Sequence, residues 1–146
     1  MLEGKIEQDL KTAMLARDSE KTEVLRGLKS AILYYKVANK KREETLDDSE
    51  VISIFSKEAK KRQESAELYI QGKDEARANK ELSEKAIIDQ YLPKKMSIDD
   101  LTTLVEKVMT DNPEANMGQI ISAVREQTQG SADGGDIARI VKEKLL

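Results

Sequence analysis

The stretch Gly130-Ser131-Ala132-Asp133-Gly134-Gly135-Asp136 separates two short apolar patterns, and its reading decides the fold. Before it, Met117, Ile120, Ile121 and Val124 recur at helical spacing over about 117–127. After it, Ile137, Ile140, Val141 and Leu145 do the same over about 135–146. Glycines adopt positive φ without steric cost, so the stretch reads as a tight reversal between two helices. Asp133 or Asp136 caps the second helix. The alternative is an anion site on the free N–H groups of that helix start. Two aspartates there oppose a phosphate, and the electrostatics of a helix end favour the elbow. Neither a Walker A pattern nor a dinucleotide fingerprint is present.

Outward from the elbow, composition points to an all-α protein. Aromatic residues number only five (Tyr34, Tyr35, Phe55, Tyr69 and Tyr91), so any core is aliphatic. With two prolines and seven glycines in 146 residues, long runs of good helix formers stay unbroken. Cysteine and histidine are absent, which removes disulfides, Cys/His zinc sites and Ser-His or Cys-His nucleophilic pairs. The lack of cysteine suits a reducing compartment. The start Met1-Leu2-Glu3-Gly4-Lys5-Ile6 lacks the apolar core of a signal peptide, and no run approaches the roughly 20 apolar residues of a membrane span. The expectation is a cytoplasmic protein with no membrane, metal or cofactor. A net charge of −3 does not mark a nucleic-acid binder by bulk electrostatics.

Seven helices in two domains are expected, an N-terminal multihelical domain at 1–93 and a C-terminal three-helix bundle at 94–146. Ile6, Leu10, Ala13 and Met14 mark a first helix over about 2–17. Asp18-Ser19 caps a second, whose stripe includes Val24, Leu25, Leu28, Ile32 and Tyr35. In it, Gly27 marks either close packing or a tolerated surface glycine. The polar run 39–44 is expected as a mobile loop. Leu46-Asp47-Asp48-Ser49-Glu50 starts a third helix reaching about residue 71, with Gly72 as its stop. A fourth, about 74–91, has a weak stripe at Ala78, Leu82, Ala86, Ile87 and Ile88. Pro93 ends that pattern. Ser97-Ile98-Asp99-Asp100 then starts a fifth helix running to about 110.

Three clusters invite functional readings. On the third helix Lys57 and Lys61 share one face and Arg62 another; they form either a basic ridge for RNA phosphates or a solvated face laced with pairs such as Glu58 with Arg62. The latter is the more ordinary arrangement. Lys36, Lys40, Lys41 and Arg42 beside Tyr34 and Tyr35 make the densest positive patch, a composition that can grip single strands by stacking. The acidic pairs Asp47/Asp48 and Asp99/Asp100 lie at helix starts, where capping accounts for them. No residues stand out as catalytic.

Several segments, taken in order, resemble the GatB/YqeY family, and over its whole length the chain is similar to stand-alone YqeY-like proteins. They are Asp9-Leu10-Lys11, Leu25-Arg26, Lys29-Ser30-Ala31-Ile32, Leu46-Asp47-Asp48, Lys61-Arg62-Gln63-Glu64-Ser65, Tyr91-Leu92-Pro93, Met117-Gly118 and Gly130-Ser131-Ala132-Asp133-Gly134. The resemblance implies the same two-part helical fold, with Pro93, Gly118, Gly130, Asp133 and Gly134 as structural motif positions. It also implies a tail like that of the B subunit of the glutamine-dependent tRNA amidotransferase, a part linked to tRNA binding. The family association is with carbon–nitrogen ligase activity using glutamine as amido donor, although no nucleotide and magnesium constellation is visible here. Family loops commonly read Gly-Arg-Ala-Asp-Gly, whereas this chain has Ser131 at the arginine position. The expected function is that of a non-catalytic tRNA-binding or accessory protein. Lys94, Lys95, Arg125, Arg139 and Lys142 would form its nucleic-acid face, with an amidotransferase or another protein as the alternative partner.

Overall fold

The computed structural model describes residues 1–146. In chain order the helices are α1 (Leu2–Leu15), α2 (Ser19–Ala38), α3 (Asp48–Gln71), α4 (Glu75–Asp89), α5 (Ile98–Asp111), α6 (Met117–Thr128) and α7 (Gly134–Leu145). No strand interrupts them, and the fold is all-α. The chain divides into two compact units, Met1–Leu92 and Pro93–Leu146.

The first unit buries Ile6 of α1, Leu25 and Leu28 of α2, Phe55 of α3 and Ile88 of α4 in one cluster. Phe55 meets Tyr91 edge to face at 6.0 Å between ring centroids, a favoured aromatic geometry. At the start of α3, Asp47 accepts from the Glu50 N–H at 2.8 Å. The flanking Leu46 and Val51 are both buried, the apolar staple that fixes the entry of a helix. The segment after α2, expected as a free loop, is tied down where Lys41 donates to Glu50 at 2.8 Å. Gly27 has open space around it and is a surface glycine.

Two expected stripes are corrected. Met14 is 49% exposed, so the core face of α1 stops short of it. On α4, Leu82 and Ala86 face solvent, while Ala78, Glu84 and Ile88 are buried. Apolar periodicity missed this orientation because the stripe facing α3 contains a carboxylate. Glu84 and Glu81 both accept from the Arg62 guanidinium of α3, so Arg62 reaches across to α4 rather than to Glu58. A buried charge is tolerated when a partner of this kind meets it.

Helices α1, α2 and α3 end alike. The N–H of Asp18 bonds to the carbonyl of Ala13, that of Lys41 to Lys36, and that of Asp74 to Tyr69. Just before each lies a residue at positive φ, namely Arg17 (56°), Lys40 (56°) and Lys73 (60°). This is the Schellman closure, which usually has glycine at the left-handed position. Gly72 immediately precedes that position and keeps an ordinary φ of −81°. A basic side chain there interacts favourably with the negative end of the helix.

The second unit is a three-helix bundle with a wholly aliphatic core, in which Leu101, Val105, Val124, Ile137 and Val141 are the most enclosed. Each helix has its own cap. Ser97 accepts from the Asp100 N–H at 3.1 Å. Asn116 and Gln119 bond reciprocally at 2.9 Å in a capping box. Asp133 accepts from the Gly135 N–H at 2.6 Å, which settles which aspartate caps α7.

Candidate nucleic-acid interface

The elbow between α6 and α7 is built from the end of one helix and the cap of the next. Gln129 (φ 47°) and Gly130 (φ 88°) take the left-handed turn, while Gly134 and Gly135 begin α7. Positive φ therefore accounts for Gly130 alone among the loop glycines. At Gly134 a Cβ would lie 2.9 Å from Nη2 of Arg125, which places that guanidinium against the start of α7. Ser131 closes the loop, its hydroxyl donating to the Thr128 carbonyl at 2.6 Å and its N–H to the same carbonyl at 2.9 Å. Its own carbonyl accepts from the Met96 N–H at 2.8 Å.

That last bond pins the segment holding Lys94 and Lys95 against the elbow. Arg125 approaches from α6, its guanidinium beside Gly134, so two separate stretches of chain that carry cations meet at the loop. The ion pairs of this unit are Arg139 with Asp136 at 3.7 Å and Glu143 at 3.6 Å, and Lys144 with Glu106 at 2.5 Å. Lys94, Lys95, Arg125 and Lys142 stand outside them and are exposed. Of the tail residues singled out from sequence, Arg125 lies against the elbow and Lys94 and Lys95 directly precede the residue bonded to it, whereas Arg139 and Lys142 lie further along α7. Arg139 is held within its own helix. Gly118 is exposed near the start of α6, and Pro93 opens the unit.

The two clusters in the first unit fare differently. Lys57 and Lys61 are exposed on α3, with Lys61 paired to Glu58 at 3.2 Å. Arg62 is withdrawn into the contact with α4. In the patch after α2, Lys36 pairs with Glu3 and Lys41 with Glu50, so two of its four cations serve internal contacts. Tyr35 donates to Glu50 at 3.0 Å. The hydrogen bond from Lys41 holds the Glu50 carboxyl below its ordinary value, and the same contact raises Lys41. Tyr91 donates to Asp9 at 2.6 Å, and desolvation together with that bond pushes its phenol well above the ordinary range. No cluster of carboxylates is arranged to hold a metal ion. No helix is long and apolar enough to cross a membrane.

The chain matches the sequence profile described as Yqey-like protein over residues 3–145. It belongs to the YqeY-like family. Among its relatives is a protein of Kluyveromyces lactis named altered inheritance of mitochondria protein 41, mitochondrial. It is 29% identical over 113 residues, which cover 75% of this chain and 60% of that protein. The protein of the same name from Vanderwaltozyma polyspora is 32% identical over 111 residues, covering 75% and 59%. This YqeY-like chain thus spans about three-fifths of the length of those relatives. The convergence at the elbow was hidden from sequence, because it depends on one backbone hydrogen bond between residues 35 positions apart and on the reach of one guanidinium.

Proposed function

We propose that this YqeY-like protein is a non-catalytic tRNA-binding or tRNA-enzyme accessory protein, with the α6–α7 elbow as its contact with the phosphate backbone. The observation that carries the reading is that the Arg125 guanidinium lies against the loop that closes at Ser131, while Lys94 and Lys95 directly precede Met96, whose N–H is bonded to that loop. None of the three takes part in the ion pairs of this unit. Cations on a rigid turn suit phosphate contacts, which position a nucleic acid without reading its sequence. Ser131 is turned inward to Thr128, and Arg125 brings to the same loop the guanidinium that family loops commonly carry at position 131. The elbow's acids are partly offset, since Asp136 faces Arg139 and one oxygen of Asp133 accepts the cap hydrogen bond. The role requires a compartment that holds tRNA. The reading places the protein in the cytoplasm, while the names of the yeast relatives point to mitochondria, where tRNA is also found.

Titration of labelled tRNA with the full chain in a filter-binding assay, at low and moderate salt, tests the proposal. Affinity is expected to fall with salt at a slope that counts the phosphate contacts. Arg125→Ala should flatten that slope by about one contact. Gly134→Ala should displace the guanidinium and weaken binding while unfolding unchanged, since only the end of a flexible side chain must move. Binding that ignores salt, or survives neutralisation of Lys94, Lys95 and Arg125 together, would overturn it.

A further inference from the structure

The first unit has a surface that the tRNA reading does not use. Between α1 and α2 runs a groove of about 570 Å³ floored by the buried Leu10 and Ile32, with Leu33 exposed at its edge and Glu3, Glu7, Arg26, Lys29, Lys36 and Arg42 along the sides, Lys36 being paired with Glu3. Lys29 is answered by Glu7 at 3.5 Å, but Arg26 and Arg42 take part in no ion pair of the unit. Arg26 also borders a second depression of about 550 Å³ with Met14 and Arg17, and Arg17 is likewise unpaired. Beyond the groove the exposed side of α2 continues with Leu33, Tyr34 and Val37, which are 53%, 80% and 57% exposed. Isolated exposed apolar residues need no explanation, but a contiguous row beside unpaired arginines is the composition of a binding surface.

We propose that this groove docks an acidic amphipathic helix of a partner protein. Two neighbouring helices leave a furrow into which a third packs by its ridges, and helix-in-groove recognition reads apolar anchors at positions i, i+3 or i+4, and i+7. Arg26, Leu33 and Val37 share one side of α2 over three turns, so a partner helix of about ten to eleven residues, roughly 16 Å long, spans them. The unpaired arginines select carboxylates along the edges of that helix, and the planar guanidinium meets them with two parallel hydrogen bonds. A nucleic-acid strand is the poorer match. It would bring phosphates to the arginines but leave Leu33 and Val37 facing no apolar partner, with Tyr34 the single exposed ring beside them for a base to stack on.

A display library of helical peptides, selected on the full chain and counter-selected on a Leu33→Asp/Arg26→Glu variant, tests the docking. Both positions are exposed, so the variant should retain the circular dichroism and thermal midpoint of the parent. Selected peptides are expected to combine apolar residues at helical spacing with an excess of Asp and Glu. Arg26→Glu alone should weaken the synthesised winners about tenfold or more, as removal of one member of a close interfacial charge pair does. Replacing the acids of a winner by Lys should transfer its preference to an Arg26→Glu/Arg42→Glu chain. No enrichment over the variant, or winners without acidic bias, overturns the proposal. Displacement of the winners by tRNA, with Arg26 required for that tRNA binding, would give the groove to nucleic acid instead. A concentration-dependent dimer abolished by Leu33→Asp in sedimentation equilibrium would give it to a second copy. The outcome is separable from the elbow reading, because the variants here leave Lys94, Lys95 and Arg125 untouched.

Discussion

The two units hold themselves together by different means. In the first, polar side chains cross between elements: Arg62 of α3 meets Glu81 and Glu84 of α4, Lys36 of α2 meets Glu3 of α1, and Tyr91 reaches Asp9. In the second, the core is aliphatic throughout, and polar groups work mainly at helix ends, in the caps of Ser97, Asn116 and Asp133. Charge spent inside the first unit specifies how its helices face one another, at the cost of desolvation. Charge left outside the second stays available to a ligand. The contrast explains why the basic clusters richest in sequence, on α3 and after α2, are the ones most consumed by internal pairing.

The sharpest way to break the comparison is through the aromatic pair that only the first unit possesses. Phe55→Ala should cost about 3–5 kcal/mol, and hydrogen exchange should show protection lost within residues 1–92 and kept within 93–146. Protection falling equally in both segments would mean that the two cores do not stand apart. Next in size, Arg62→Met strands the Glu84 carboxylate and should destabilise by about 3 kcal/mol. Adding Glu84→Leu should restore most of that loss in chemical denaturation, because an apolar pair of similar volume replaces the ions. If the double variant stays as weak as the single one, the bridge contributes more than its own mutual compensation.

Smaller effects test the helix ends. Lys73→Gly relieves a left-handed residue and should raise stability by up to about 1 kcal/mol, the reverse of the usual penalty for glycine in helices. Glu50→Gln carries a signature in pH rather than in size. The folded-state value of Glu50 is lowered by its bond from Lys41, so its contribution is complete above the unfolded value of 4.5 and disappears as pH falls through the folded one. The difference in denaturation midpoint between parent and variant should therefore shrink on acidification. A difference that persists in strong acid would assign the effect to packing.

Much of this architecture was legible in the sequence, because its determinants are local. Caps at Asp18, Asp47, Ser97 and Asp133 follow from residue type and position, and the aliphatic stripes of α5, α6 and α7 have regular periods. Orientation failed on α4, where Leu82 and Ala86 suggested a face that the structure leaves in water. Hydropathy cannot anticipate that a carboxylate is buried when its partner, Arg62, lies 22 residues away. The candidate interface was legible as a set of cations but not as a place, since the bond of Met96 to Ser131 and the position of Arg125 beside Gly134 rest on tertiary geometry. Asn116 and Gln119 did offer a capping signal three residues apart, one that the apolar pattern beginning at Met117 overshadows.

The hydrogen bond from Met96 to Ser131 has a bearing on how the molecule is to be dissected. A fragment cut at Ser97, where α5's cap begins, would retain all three helices and their core yet lack the strap that lies across the loop. A fragment cut at Pro93 would keep it. Comparison of the two pieces separates what makes the bundle fold from what holds the segment carrying Lys94 and Lys95 across its loop.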